Sequence, residues 1–385
     1  MNIISDANIL FAREAFSSFG QVISVEGRSI TKDRLKYAEI LLVRSVTAVN
    51  RELLEETPIR FVASATIGID HVDLAYLRDN NIGFAHAPGS NSNAVGEYVI
   101  SAMAHLAKTK ELKLPSLTVG IIGVGAIGSR VFRLCQALGI RCLLNDPPKK
   151  VLTDSDLYLP LEEVLRESDI VTVHVPLTRS GNDATYHLVN EGFIAAMKKG
   201  AFLVNTSRGD VLDEKAFVAK RVRLGAAAID VWENEPAPSA GVIDAADIAT
   251  PHIAGYSHDG KICGTEMIYR AACAFFFRET KWRPPDASGE GKPPVIDLRK
   301  SQEPVFDAVS TAYPIKEDDE RLRKINKIPV DDRPRYFDEL RKSYPKRLEF
   351  RNFTVVPGDR ISDAEMSIIA GLGFSVQRER QKELV

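Results

Sequence analysis

The chain has 385 residues, 44% hydrophobic, 26% charged and 8% aromatic: enough apolar material for two or three packed domains, and too much for a disordered chain. Fifty Lys and Arg against 52 Asp and Glu leave a formal net charge of -2, which argues against a general polyanion binder. No nucleic-acid or membrane partner is expected, and no apolar run approaches the roughly 18 residues of a membrane span.

Residues 1–114 predict short strands alternating with helices, the pattern of a parallel sheet with helices on its faces. Asn2 to Asp6, Ile40 to Arg44 and Phe61 to Ala65 read as strands; Ala12 to Phe19 and Arg51 to Glu56 carry helical spacing. A long buried helix is expected from Ala94 to Leu106, opened by capping candidates at Asn91 to Asn93. A second α/β unit begins near Leu117. Its strands are expected at Leu117–Gly123, Arg141–Asp146, Ile170–Val175, Ala201–Thr206, Ala226–Val231 and Asp247–Pro251, six in all, as in a doubly wound dinucleotide fold. The triple Phe275 to Phe277 follows a helical pattern and reads as packing. Lys281 to Pro294 is a Pro/Gly-rich linker. Beyond it, the run Glu317 to Lys324 reads as a solvated helix with i,i+4 pairs, and strands are expected near Phe353 and Phe374.

The start lacks a basic region and a long apolar core, so no signal peptide is expected. The four cysteines form no CxxC, and the histidines show no i,i+4 pair; no metal is expected and the thiols are expected reduced, as in the cytoplasm.

Gly123-Val-Gly125-Ala-Ile127-Gly128 is a GxGxxG that follows an expected strand and opens an expected helix, the context its mechanism requires. The first glycine permits the tight turn, the second a close approach by pyrophosphate, the third close helix–strand packing. A helix N-terminus adds N–H donors and a dipole favourable to the anion. Asp146 ends the next strand, 18 positions after Gly128. A carboxylate there accepts hydrogen bonds from the ribose of NAD and repels the extra phosphate of NADP. Gly123, Gly125, Ile127, Gly128 and Asp146 are therefore the candidate cofactor residues, and NAD the candidate cofactor.

Three later strand ends each carry one chemically useful group: Arg208, Glu235 and His252. In an open α/β sheet, ligands bind beyond the carboxyl ends of the strands. A histidine can take the proton of a 2-hydroxy acid as its carbon gives up hydride. A neighbouring carboxylate orients the imidazole, and an arginine grips the substrate carboxylate. Each of the three has a plain structural reading as well, a surface ion pair, a turn or a structural histidine; arriving together behind a cofactor fingerprint, they read as catalytic.

These segments resemble the D-isomer-specific 2-hydroxyacid dehydrogenases over about residues 1–280. The resemblance implies an α/β fold of two Rossmann-like domains, one binding substrate and an inserted one binding NAD. The segments His252 to Thr265, Arg44 to Thr47, Gly68 to Asp73 and Asn145 to Pro148 are similar to a narrower branch. That branch oxidises a phosphorylated four-carbon hydroxy acid on a route to pyridoxal phosphate. The tail segments Glu317 to Lys324, Phe337 to Tyr344 and Gly371 to Phe374 are similar to its small C-terminal α/β dimerisation domain, which implies a homodimer. The implied boundaries are 1–95 for the substrate-binding domain, completed by 256–280, 96–255 for the NAD-binding domain, and 281–385 for the linker and C-terminal domain. By the same resemblance Ser45, Thr66 and Tyr256 fall at substrate-binding positions, and Val175, Thr206, Ser207, Asp230 and Gly255 at cofactor-binding positions. Arg44, Ser45 and Thr47 are expected to anchor the phosphate, and Lys346 or Arg347 to reach a partner subunit's site. Two alternatives stand beside this reading: another 2-hydroxyacid dehydrogenase, acting on phosphoglycerate or glycerate, and a non-catalytic NAD-sensing scaffold.

Overall fold

The computed structural model describes residues 1–289 and 292–377. By their contacts, the described residues of 1–92 and 256–290 form one compact unit and those of 93–255 and 291–385 another.

The first unit is built on five parallel strands, β1 (Asn2–Asp6), β2 (Gln21–Val25), β3 (Ile40–Val43), β4 (Phe61–Ser64) and β5 (Gly83–His86), in the order β2-β1-β3-β4-β5. Alternate residues of β1, β3 and β4 point to opposite faces, so the sheet carries two cores. Ile3, Ile40, Leu42 and Phe61 enter one; Ile4, Leu41, Val43 and Val62 enter the other. The helix His258–Phe275 returns to this unit and buries Ile268, Tyr269 and Ala272 against the first core. Phe275 and Phe276 pack on Phe61, with ring centroids 4.9 and 5.8 Å away. Strands β2 and β5 escape sequence reading: in β2 only Val22 and Val25 are buried, and β5 opens on glycine.

The second unit holds six parallel strands, β6 (Thr118–Ile122), β7 (Arg141–Asn145), β8 (Ile170–Val173), β9 (Phe202–Asn205), β10 (Ala226–Ile229) and β11 (Ile248–Ala249), in the order β11-β10-β9-β8-β6-β7. An isolated parallel bridge from Leu144 to Tyr158 occupies the place of the missing edge strand. The order thus matches a doubly wound dinucleotide sheet, with its reversal between β6 and β8.

A third parallel sheet, β12 (Val295–Asp297), β13 (Thr354–Val356) and β14 (Ser375–Val376), belongs to the tail, in the order β12-β13-β14. The expected linker carries no helix or strand among its described residues; Glu290 and Gly291 lie outside them.

The expected solvated helix is corrected. In the helix Ile315–Arg323 the pairs Arg321–Glu317 and Arg323–Asp319 form, but Asp318, Asp319 and Leu322 are buried. Leu322, Ile325 and Phe337 join the core of the dinucleotide sheet. Asp319 accepts the backbone N–H of Ala249 on edge strand β11 at 2.8 Å, and Arg323 donates to Ile243 O and Ala246 O. The tail thereby covers an edge that would otherwise present open hydrogen-bonding groups. The expected capping by Asn91 to Asn93 is also corrected. The helix runs from Ser92 to Thr109; Asn91 Oδ1 is buried without a hydrogen-bond partner among the described residues, and Asn93 Nδ2 donates to Glu97 and Glu349.

Candidate active site

In the second unit, Gly123 takes φ 82, a left-handed conformation that suits glycine, as the chain leaves β6. A Cβ on Gly128 would overlap the Gly123 carbonyl oxygen, so the helix Ala126–Ala137 closes on the strand end only because that side chain is absent. A Cβ on Gly125 would meet nothing within 4 Å among the described residues. The fold itself does not need that glycine, and it leaves an open cradle at a helix N-terminus, which fits a dinucleotide pyrophosphate.

Asp146 follows β7 and caps the next helix. Its Oδ2 accepts Val124 N at 2.8 Å and its Oδ1 accepts Lys149 N at 3.0 Å. Each oxygen retains a lone pair for a ribose hydroxyl. Lys149 Nζ donates to Val124 O at 2.5 Å, placing a cation on the glycine turn that sequence reasoning missed. Val175 borders Gly123, and Ile127 is half-buried in the first turn of the helix. Thr206 Oγ1 lies 3.2 Å from His174 Nδ1, whose ring also meets Thr172 Oγ1 at 2.9 Å. Burial lowers the His174 pKa to about 3, so this imidazole is neutral and structural. Ser207 Oγ donates to Asn205 Oδ1 at 2.7 Å.

Arg208 follows β9, half-buried, with Nη1 donating to Ser207 O at 2.7 Å. A Cβ on the next residue, Gly209, would land on the Trp232 carbonyl. Two of the segments singled out in the sequence therefore touch backbone to backbone. Glu235 Oε1 accepts Trp232 N at 3.1 Å, and its Oε2 meets His252 Nδ1 at 2.7 Å. Burial by itself would raise the Glu235 pKa. The charge and hydrogen bond of His252, with Arg341 and the Trp232 N–H, outweigh it and hold the carboxylate below its ordinary range.

His252 adopts φ 57, a left-handed conformation that costs a non-glycine residue about 1–2 kcal/mol. The loop around it is tied from several sides. Asp230 Oδ1 accepts Thr250 Oγ1 at 2.6 Å and Ile253 N at 2.8 Å; Oδ2 accepts Ala254 N at 2.9 Å. Burial pushes the Asp230 pKa up to about 6 against the opposing pull of His252 and these donors. Since Thr250 Oγ1 donates to Asp230, the Tyr98 hydroxyl 2.7 Å away donates to Thr250. Trp232 Nε1 donates to Thr250 O, and Arg347 to Ala254 O. Tyr98, Trp232, Arg341 and Arg347 are the supporting residues that sequence reasoning missed in these roles. Their positions relative to the loop depend on tertiary packing, and no local motif announces them. Gly255, half-buried, ends this loop.

The first unit positions the other expected groups. The Arg44 guanidinium, just past β3, lies 5.3 Å from the Tyr256 ring centroid, and Lys261 Nζ lies 4.9 Å from the same ring. Ser45 is exposed beside Arg44. Thr66 Oγ1 donates to Gly68 O at 2.9 Å and meets Ser64 Oγ at 2.6 Å. Two expectations are corrected. Thr47 is 4% exposed and spends its hydroxyl proton on Gly27 O, so it has no donor left for a phosphate. Arg347 does not extend outward from the tail: it is buried in its own unit against Ala94 O and Ala254 O.

Among the described residues, no group of three or more His, Cys, Asp or Glu side chains could hold a metal ion, and no helix is long and apolar enough to cross a membrane.

Residues 95–254 match the NAD-binding domain of the D-isomer specific 2-hydroxyacid dehydrogenases, and residues 296–373 match a domain of unknown function. The chain is 44% identical to the erythronate-4-phosphate dehydrogenase of Salinibacter ruber, with 97% of this chain and 98% of that protein covered. It is 41% identical to the enzyme of the same name from Salmonella arizonae, over the same shares of the two chains. A solved D-lactate dehydrogenase from Aquifex aeolicus, complexed with NAD and lactic acid, is 26% identical with a TM-score of 0.61. That alignment takes in 96% of its chain and 72% of this one. Resting on the full-length relatives and on the matched NAD-binding domain, the chain belongs to the erythronate-4-phosphate dehydrogenase family within the D-isomer specific 2-hydroxyacid dehydrogenases.

Proposed function

We propose that this protein oxidises 4-phospho-D-erythronate to (R)-3-hydroxy-2-oxo-4-phosphooxybutanoate with NAD, in the formation of pyridoxal phosphate. The observation that carries the chemistry is the His252–Glu235 pair, 2.7 Å between Nδ1 and Oε2 on a loop fixed by buried Asp230. Glu235 holds Nδ1, so Nε2 takes the proton of the substrate hydroxyl. Arg208 binds the substrate carboxylate and favours charge on the forming carbonyl oxygen. NAD, when bound, accepts the hydride released from the same carbon. Gly123, Gly125, Ile127 and Gly128 form its turn and Asp146 takes its ribose. Val175, Thr206, Ser207 and Gly255 line it, and Asp230 serves it by fixing the backbone of 253 and 254. On the substrate side, Arg44, Ser45, Thr66 and Tyr256 supply charge, hydroxyls and an aromatic face, and Arg44 with Ser45 serves the phosphate.

The relatives' name supports the four-carbon phosphorylated substrate over phosphoglycerate or glycerate. The four free cysteines suit a cytoplasmic enzyme, and we assign the tail, 281–385, the role of a homodimer contact. The test is steady-state NADH formation with phosphorylated four-carbon and three-carbon hydroxy acids. The reading expects the four-carbon acid to lead in kcat/KM, and a three-carbon acid in first place would overturn the substrate. His252→Ala should lose about 10²–10⁴ in turnover while still binding NAD. Near-normal turnover would overturn the base assignment.

A further inference from the structure

We propose that Arg347, in the tail segment outside the NAD-binding domain, is a positioning residue for His252: it holds the catalytic loop by the carbonyl of Ala254. The inference rests on His252 being the base.

Ala254 is gripped on both sides. Its N–H donates to Asp230 Oδ2 at 2.9 Å, and its carbonyl accepts Arg347 Nη2 at 2.6 Å. The same Nη2 lies 3.2 Å from Ala94 O, in the first turn of the helix Ser92–Thr109. One guanidinium thus ties the loop that carries His252 to the start of a long buried helix. The side chain is 7% exposed, with its guanidinium 4.4 Å from the Tyr313 ring centroid. That ring is fixed in turn, since Tyr313 and Tyr344 both donate to buried Asp318 at 2.9 and 2.7 Å. Residues on the C-terminal side of Arg347 are fastened to the same helix: Phe350 N donates to Glu97 Oε1 at 3.0 Å, and Glu349 accepts Asn93 Nδ2 at 2.6 Å. A movement of 347–350 therefore reaches Ala254, two residues from His252.

Packing alone is a poor account of this arginine. Its Nε and Nη1 are buried with no hydrogen-bond partner among the described residues. Such groups are costly, and an apolar side chain of similar volume commonly stabilises a core as well or better. What an apolar side chain does not do is hold a carbonyl. His252 sits in a left-handed conformation that its surroundings must enforce, and the Ala254 carbonyl is one of the points at which they do so.

The test uses the full-length protein with Arg347→Met, Arg347→Lys and His252→Ala, singly and combined. Thermal unfolding and NAD titration are read beside kcat and KM. Loss of loop positioning predicts a fall in kcat of about 10²-fold for Arg347→Met, with NAD affinity within about threefold. Arg347→Lys, which keeps the charge but offers a compact point donor, should recover part of the rate. In the His252→Ala background, Arg347→Met should slow the residual rate little further, because residues that act as a unit are not additive. Arg347 variants that fold and turn over within twofold of the parent would overturn the inference. So would a full multiplicative loss in the Arg347→Met, His252→Ala double variant, or failure of both Arg347 single variants to fold, which would assign Arg347 to the fold alone. If His252→Ala itself stays active, the parent reading fails and takes this one with it. If His252→Ala is inactive while the Arg347 variants are normal, only this inference falls.

Discussion

The two later glycines of the turn can be separated by one methyl group each. Gly125 takes φ -68 and ψ -153, extended backbone that alanine adopts, and its Cβ would meet nothing within 4 Å. Alanine there gains about 0.4–1 kcal/mol by restricting the unfolded chain. It loses a similar amount as a poorer N-cap than glycine. Gly125→Ala should therefore leave the stability of the cofactor-free protein within about 0.5 kcal/mol. The methyl would instead occupy the space in which the pyrophosphate approaches the helix N-terminus. Displacing even one charge-assisted hydrogen bond costs about 1.5–3 kcal/mol, a loss of NAD affinity of roughly 10- to 100-fold. Gly128→Ala behaves in the opposite way. Its Cβ would overlap the Gly123 carbonyl oxygen and come within 3.3 Å of Ile121 Cγ2, so helix and strand have to separate. Overpacking of that kind costs about 1–3 kcal/mol and should lower Tm by several degrees before any cofactor is added. The assay is thermal unfolding of both variants without NAD, followed by NAD titration. A Gly125→Ala protein whose affinity stays within twofold of the parent would refute the cradle, and one destabilised as much as Gly128→Ala would refute the assignment of open space.

Four further outcomes follow from the same contacts. Tyr98→Phe removes the donor to Thr250 Oγ1 and should cost about 0.5–1.5 kcal/mol in denaturant unfolding, with kcat affected more than NAD binding. Thr47→Val should destabilise by about 0.5–1.5 kcal/mol by removing its hydrogen bond to Gly27 O, which keeps the Ile30 N–H, yet keep kcat/KM within about threefold; a large rise in KM would restore Thr47 to the phosphate site. Leu322→Ala, which empties a fully buried position in the core of the dinucleotide unit, should cost about 2–5 kcal/mol in stability. Burial, with Glu349 beside it, raises the Glu97 carboxyl well above the usual carboxylate range, against the Phe350 N–H, Arg347 and Arg130. Because the folded state then holds that proton more tightly, the contribution of Glu97 to stability is full below about 4.5 and is lost as pH rises through the raised value. Glu97→Gln keeps an acceptor without the charge. Its Tm advantage over the parent should therefore grow from about pH 5 to pH 8, and an advantage that shrinks with rising pH would contradict the buried acid.

Where local pattern decided the structure, the sequence was legible. The glycine turn, Asp146 and the strands on either side announce themselves by spacing, and the buried strands of the second sheet are nearly continuous apolar runs. Strand β2 is hidden because its neighbours bury only Val22 and Val25, and the half-buried β5 because it opens on glycine. The segments that carry Arg208, Glu235 and His252 were legible as residue types, but not the manner of their support. That Gly209 lets the Arg208 turn lie against Trp232, and that Tyr98 reaches Thr250 across 152 positions of chain, are consequences of packing.

The tail shows why charge pattern alone misleads. A run such as Glu317 to Lys324 ordinarily lies in water, since burying an unpaired carboxylate is prohibitive. Asp319 is nevertheless fully buried, because it finds compensation from three directions: the N–H of edge strand β11, Arg323, and Lys316. Arg323 in turn caps the Ile243 and Ala246 carbonyls. Asp319 is thus spent on a backbone N–H that the dinucleotide sheet leaves open at its edge, and Arg323 on two carbonyls beside it. Arg347 is spent the same way, on a carbonyl of the loop behind His252. A segment that reads as solvated and separate is bound into the unit that carries Arg208, Glu235 and His252 by polar contacts with backbone, which no pattern of side-chain hydrophobicity records. Such contacts are specific in direction where apolar packing is not, and a loop that must hold a histidine in a left-handed conformation calls for that kind of restraint.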